Sequence, residues 1–161
     1  MSVTSGIRAA LAAALTLLPG LASAASSCTM AISPVAFGGY DVFSATARDS
    51  SGTILVTCAR AGGPNPTVTI AIGPGMYGGS TSTRKMKQGS GSDLLSYNLF
   101  QDAARTVLWG QIVGTDAFRQ GLSVPNNGSA QLSVTVYGRI PAGQNVNVGT
   151  YSDSVVVSVL P

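Results

Sequence analysis

Few side chains in this 161-residue chain can perform acid–base or nucleophilic chemistry. The chain has no His, so Ser–His–Asp and Cys–His catalytic sites are excluded. Its acidic residues are all Asp, and their spacing matches neither a carboxylate pair of a glycosidase nor a calcium loop. No phosphate loop or dinucleotide fingerprint is present. The sequence therefore predicts a protein that is not an enzyme and uses no cofactor or metal. The six acidic residues are Asp41, Asp49, Asp93, Asp102, Asp116 and Asp153.

The two cysteines, Cys28 and Cys58, are the remaining reactive groups. In an exported protein they meet an oxidising compartment, so we expect a disulfide. The disulfide would close a loop of about 30 residues, and in the chain-entropy model such a bond adds about 3.5 kcal/mol of stability. Lipidation of Cys28 is an alternative, although Ala25 stands where a lipid signal prefers a large aliphatic residue. A zinc site is a weaker alternative, because two thiols without His or Glu make an incomplete ligand set.

The N-terminal segment has the layout of a secretory signal. Arg8 precedes an apolar run over residues 9–21, and the small residues Ala22-Ser23-Ala24 follow it. The run is too short to cross a bilayer comfortably, and Pro19-Gly20 would interrupt a spanning helix. We therefore predict a signal peptide over residues 1–24 and a mature domain over residues 25–161. This predicts that the protein is exported.

Charge is scarce in this chain and gives no sign of a nucleic-acid partner. Charged residues make up 9% of the sequence, against roughly 25% in an average domain. The net charge is +3, and the basic residues are scattered except for Arg84, Lys85 and Lys87. A nucleic-acid site needs a dense basic face. We therefore predict that this cluster is an exposed loop that helps to keep the protein soluble.

Apolar residues alternate with polar ones in most of the chain, which is typical of half-buried strands. Clusters rich in Gly, Pro and Asn separate the runs, and beyond the signal only 102–105 suggests a helical turn. The pattern predicts an all-β, immunoglobulin-like antiparallel sandwich. Trp109 is expected in the core, with sugar stacking as the alternative. The predicted strands lie at 30–37, 53–58, 67–72, 94–100, 130–137 and 151–160, with short additions at 106–109 and 118–124.

The number of strands predicts that the sandwich is incomplete. The given sequence ends at Pro161, directly after its valine-rich last run, so an immunoglobulin-like fold would lack its last strand. An empty strand position leaves backbone groups unpaired and apolar side chains uncovered. A strand from another polypeptide can fill such a position.

Several short motifs occur in an order that resembles the spore coat protein U domain, which is also the subunit fold of archaic chaperone–usher pili. The similarity covers residues 28–160, and it rests on the joint order of the motifs. They are Phe37-Gly38-Gly39-Tyr40-Asp41, Arg84-Lys85-Met86-Lys87, Leu95 to Ala103, Thr106 to Gly110, Val136 to Gln144 and Gly149 to Asp153, with Cys28 and Cys58.

The resemblance implies an assembly mechanism and a set of partners. Family members are incomplete sandwiches that are exported to the periplasm. A periplasmic chaperone lends a strand to the open groove, and at an outer-membrane usher the N-terminal strand of another pilus subunit replaces it. The product is a surface fibre that serves attachment or biofilm formation, or, in spore-forming relatives, a protective coat. A tip adhesin or glycan-binding module is the alternative function.

The segment before the first cysteine is shorter here than the N-terminal donor strand of the family's pilus subunits. After cleavage at residue 24, only Ala25, Ser26 and Ser27 precede Cys28, which is too short for a donor strand of about five residues. The chain would then accept a strand without donating one, as a terminal subunit or a coat component does.

We predict that the groove is lined by Ile54, Val56, Val134, Val136, Val155, Val157 and Val159.

Overall fold

The structure, a computed structural model, describes residues 26–161. The predicted signal peptide at 1–24 lies outside the described residues. Within them there is no helix long and apolar enough to cross a membrane. Ten strands form the described chain: β1 (Ser26–Ser33), β2 (Arg48–Arg60), β3 (Thr67–Ile72), β4 (Lys85–Gln88), β5 (Leu94–Ser96), β6 (Asn98–Phe100), β7 (Phe118–Gly121), β8 (Gly128–Ile140), β9 (Tyr151–Ser152) and β10 (Val157–Leu160).

The strands form antiparallel sheets with the apolar core between them, which confirms the predicted all-β, immunoglobulin-like class. The first sheet has the order β1-β2-β8-β6, and the second has the order β10-β3-β7. A third sheet, built of shorter strands, has the order β5-β4-β9. The long strands β2 and β8 pair over their whole length, from Arg48 opposite Ile140 to Arg60 opposite Gly128. They are the two central strands of the first sheet.

Alternation in the sequence explains which faces are buried. In β2 the side chains of Ile54, Val56 and Cys58 are buried, and the residues between them are partly exposed. Directly opposite residues of an antiparallel pair share one face of the sheet. Val134 of β8, opposite Ile54, is accordingly buried as well. In β3 every residue after Thr67 is buried, as in a strand covered on both faces.

Some strand boundaries differ from the predictions. The first strand ends at Ser33, because Pro34 has no N–H to donate to a sheet. The run at 94–100 divides at Tyr97 between the third and first sheets, and the run at 151–160 divides into β9 and β10. At 106–109 there is a single bridge from Leu108 to Phe100, and 102–105 is a turn and not a helix.

The chain after β1 folds onto the inner face of the first sheet. At Gly52 a Cβ atom would lie 3.0 Å from the backbone of Pro34 and Val35, and at Gly138 a Cβ would lie 2.7 Å from the Phe37 ring. Both glycines therefore make room for this crossing segment. Phe37 reaches the core, where its ring packs edge-on against Tyr97 with centroids 6.0 Å apart.

Arg84 is fully buried, so the prediction that its basic cluster lies in an exposed loop is wrong. The residues that follow it form β4, in which Met86 and Gln88 are buried while Lys87 is exposed. The Arg84 guanidinium donates hydrogen bonds of 2.7–2.9 Å to backbone carbonyls, namely those of Ile72, Gly73, Thr81 and Trp109. Burial lowers the pKa of Arg84, and nearby acidic groups, including Asp153, partly offset this effect. Carbonyls at the end of β3 and in two loops thus accept hydrogen bonds from the buried charge.

Trp109 is also fully buried, which confirms its predicted place in the core and excludes sugar stacking by this side chain. Its indole N–H donates to the Ile70 carbonyl at 2.9 Å, and its ring packs on Phe118 with centroids 5.5 Å apart. Its own carbonyl accepts a bond from Arg84. Trp109 and Arg84 therefore join β3 to the loops beside it.

We predict that Arg84→Ala destabilises the folded chain by about 4 kcal/mol, because it leaves several buried carbonyls without a donor. Lys85→Ala at the neighbouring, partly exposed position is the matched control, with an expected change within about 0.5 kcal/mol. Urea unfolding of the oxidised proteins measures both values. Equal stability losses in the two variants would contradict the assigned role of Arg84.

Candidate functional site

The strands β1 and β10 are edges of the two facing sheets. Each has a hydrogen-bonded neighbour on one side only within residues 26–161: β2 for β1 and β3 for β10. Cα atoms of β1 and β10 come within 8 Å of one another, so the two edges are neighbours in space. The candidate site is the strip of core between them.

On β1, apolar side chains that face the core remain accessible to solvent. Met30 lies opposite Val56 and Ile32 lies opposite Ile54. Because opposite residues share a face, Met30 and Ile32 point to the same side as the buried residues of β2. They are nevertheless 41% and 47% exposed. The core is therefore uncovered along this edge.

On β10, core-facing side chains are only partly covered, and backbone groups at its outer edge have no strand beside them among the described residues. Val157 and Val159 lie opposite the buried residues Ile72 and Ile70, and so they face the core, but they are only partly buried. The Gly73 N–H donates to the Val156 carbonyl at 2.9 Å. Hydrogen bonding alternates along an antiparallel pair, so the N–H and C=O groups of Val157 and Val159 point away from β3, to the unpaired edge.

A groove of about 980 Å³ opens beside these edges. One wall is the end of β1 at Ile32 and Ser33 with the crossing segment from Pro34 to Val42, and another is the stretch from Val146 to Val155, together with Val157. Core side chains form its floor. They are Ile54, Ile72, Met86, Leu95, Tyr97, Leu99, Val136 and Ile140. The groove therefore reaches the centre of the sandwich, and most of its lining is apolar.

The predicted groove residues fall into two groups. Ile54, Val136, Val155 and Val157 line the groove. Val56 and Val134 are buried in the core outside it, and Val159 packs against the core farther along β10. Ile32 was not predicted as a groove residue, although it and Met30 are the inward-facing apolar residues of the first strand. The floor residues of the third sheet were not predicted either, because their position depends on how distant strands pair.

A polar pair, the buried Tyr97 and the partly buried Asp153, lies in the lining of the groove. The Tyr97 hydroxyl donates to Asp153 Oδ2 at 2.7 Å, and Asp153 Oδ1 accepts the N–H groups of Met76 and Ser154, each at 2.8 Å. Burial, and then the hydrogen bond to Asp153, raise the pKa of Tyr97 well above its ordinary value. The pair fixes the chain where it enters β10.

Two other polar side chains have local structural roles. Asp41 Oδ1 accepts the Phe43 N–H at 2.9 Å and so closes a turn. Arg139 forms a bidentate ion pair with Asp49, with N–O distances of 2.7 and 2.8 Å. The hydrogen bond from Arg139 lowers the pKa of Asp49. Within the described residues, no cluster of three or more His, Cys, Asp or Glu could hold a metal ion.

The disulfide joins the open edge to the rest of its sheet. Cys28 of β1 and Cys58 of β2 lie directly opposite one another and are bonded, which confirms the predicted pairing. Cys58 is fully buried. The bond covalently holds β1, one side of the candidate site, to the long strand at the centre of the sheet.

Comparison with known proteins agrees with this architecture. The model of the Spore Coat Protein U domain matches residues 12–158. "Protein U" of Myxococcus xanthus is 37% identical over 133 residues, which cover 76% of this chain and 69% of that protein.

A solved structure is also similar. It is the crystal structure of the CsuC–CsuE chaperone–tip adhesion subunit pre-assembly complex from archaic chaperone-usher Csu pili of Acinetobacter baumannii. One of its chains superposes with a TM-score of 0.54 and 19% identity, over 83% of this chain and 39% of that chain. This chain therefore spans less than half the length of that one. At this identity the likeness shows the fold alone.

We predict that the double substitution Cys28→Ala/Cys58→Ala destabilises the oxidised chain by about 3.5 kcal/mol, because the bond closes a loop of 30 residues. Urea unfolding with and without a reductant measures the effect. Reductant should lower the stability of the unsubstituted chain by a similar amount and leave the double variant unchanged. A shift of the unsubstituted chain by less than about 1 kcal/mol would show that β1 is held mainly by its hydrogen bonds and packing.

Proposed function

Because this chain belongs to the Spore Coat Protein U domain family, as its sequence motifs predicted, we propose that it is a structural subunit of a bacterial surface fibre or coat whose groove accepts a strand from another polypeptide. The family is structural and non-enzymatic, in agreement with the prediction that the chain is not an enzyme. The proposed mechanism is donor-strand complementation, in which the incoming strand completes the sandwich.

The observation that carries the proposal is the coincidence of two unsatisfied features at the neighbouring edges β1 and β10. Inward-facing Met30 and Ile32 are nearly half exposed, and the backbone of Val157 and Val159 points to an unpaired edge. An extended peptide satisfies both, because its backbone pairs with the edge while alternate side chains enter the groove. Each aliphatic side chain that becomes fully buried contributes roughly 1.5–3 kcal/mol.

The spacing of the two edges supports a particular direction of entry for the incoming strand. Two strands with a third between them lie roughly 9.6 Å apart, which is twice the usual spacing. Cα atoms of β1 and β10 come closer than this, within 8 Å. Ile32 and Val157 line the wide groove, whereas Met30 and Val159 do not. We infer that the strand enters at the Ile32–Val157 end and separates the edges as it extends towards Met30 and Val159.

The proposed partners follow from this mechanism. A periplasmic chaperone would occupy the groove during transit, and an outer-membrane usher would exchange it for another pilus or coat subunit at the cell surface. The similar Csu structure is a complex of a chaperone with a tip adhesion subunit, and this supports a chaperone as the first partner. A terminal place in a fibre stays a prediction that depends on cleavage after Ala24, and the mass of the mature chain tests it.

The alternative role as a tip adhesin would use exposed apolar side chains on loops. Phe43 and Val148 are 93% and 98% exposed. Asp41 holds the Phe43 backbone in its turn, and the Val148 carbonyl accepts the Gln88 amide at 2.9 Å. These two residues, and not the buried Trp109, are the contacts that this role would require.

We predict that Ile32→Asn weakens binding of a strand peptide at least tenfold, because an amide then enters an apolar groove. Ala31→Asn is the matched control, since Ala31 lies on the opposite face of the same strand and should change binding less than about threefold. Calorimetric titration of the oxidised chain with a nine-residue peptide of alternating Val and Thr measures both dissociation constants.

The stability of the free chain separates binding from folding in this test. Ile32 is already 47% exposed without an occupant, so Ile32→Asn should lower the free energy of unfolding of the free chain by no more than about 1.5 kcal/mol. Absence of binding by the unsubstituted chain, or equal weakening in the two variants, would refute strand acceptance at this groove.

A further inference from the structure

The charges that line the groove are all of one sign. The described chain carries eight basic residues, since nine occur in the whole sequence and Arg8 precedes residue 26. None of the eight lines the groove, whereas two of the six acidic residues, Asp41 and Asp153, do. The lining therefore carries two negative charges in a protein whose net charge is positive.

Neither carboxylate is neutralised by a direct hydrogen bond from a cation. Asp153 accepts two backbone N–H groups and the Tyr97 hydroxyl, and the Asp41 carboxylate accepts the Phe43 N–H, so all of these donors are neutral. Asp49 is different, because it lies within 3.3 Å of Arg105 and 2.7 Å of Arg139 outside the groove. The guanidinium of Arg84 does act on Asp153 from the core, but its hydrogen bonds go to carbonyls.

We propose that the groove selects an incoming strand that carries Lys or Arg in addition to its alternating apolar residues. This inference rests on the proposed function and adds the charge of the partner to it. Charges at an interface that have no hydrogen-bonded counter-ion attract the opposite charge and disfavour the same charge, which influences both the choice of partner and the rate of association. Asp41 is exposed at the end of the crossing segment and is the more accessible of the two carboxylates.

Two peptides of identical alternating Val and Thr core, one flanked by Lys and the other by Glu, test the proposal. At about 0.05 M salt the Lys peptide should bind the oxidised chain roughly 2- to 5-fold more tightly than the Glu peptide, the range of exposed ion pairs. The preference should largely disappear at about 0.5 M salt, where the charges are screened.

A matched pair of variants locates the effect. Asp41→Asn retains an oxygen that can accept the Phe43 N–H, so the turn is kept while the charge is removed, and the preference for Lys should fall. Asp102→Asn removes the same charge outside the groove and should leave the preference intact. Equal binding of both peptides, or an equal effect of both variants, would overturn the charge selection while strand acceptance stands. Failure of both peptides to bind at either salt concentration would instead refute the proposed function.

Discussion

The uncovered core between β1 and β10 is the constraint on which the other features depend. Water reaches the inner faces of Met30 and Ile32, while Ile54 beside them is almost completely buried. Apolar surface in contact with water costs free energy in proportion to its area, and unpaired strand edges invite association. Such an edge is a liability in a protein that works alone and an advantage in one that must assemble. The structure is consistent with the second case.

A sandwich with an open edge needs other means of keeping that edge in place. On the β1 side this is the bond between Cys28 and Cys58, which holds the edge strand to the centre of its sheet. On the β10 side, Arg84 holds the carbonyls of Ile72 and Gly73, where β3 meets the beginning of β10. The first connection is covalent, and the second consists of hydrogen bonds from a buried guanidinium to backbone carbonyls. Both fix the edges without covering the groove.

How far the sequence predicts this structure depends on the range of the interactions. Period-two patterns identified β2, β3 and β8, because alternation is a local property of each strand. The burial of Arg84 was not predictable in this way, since its partner carbonyls belong to segments that meet only in the folded chain. The division of 94–100 at Tyr97 has the same origin, because β5 and β6 pair with different strands.

The candidate site was predictable to a similar extent. Its apolar valines follow from the pattern, and Val155 and Val157 do line the groove. Its wall from Pro34 to Val42 has no regular secondary structure and therefore no period to detect. Gly52 and Gly138 make room for this wall, but a glycine in a strand pattern shows only that something comes close, not which segment does.

The scarcity of charge agrees with a protein that packs against others. Only 9% of the residues are charged, Arg84 is buried, and Asp49, Arg105 and Arg139 neutralise one another in part. Net charge keeps soluble proteins apart by repulsion, so a protein with few charges opposes close packing against a partner much less. The two groove carboxylates, which have no hydrogen-bonded cation within the described chain, are then among the few charges left to distinguish one incoming strand from another.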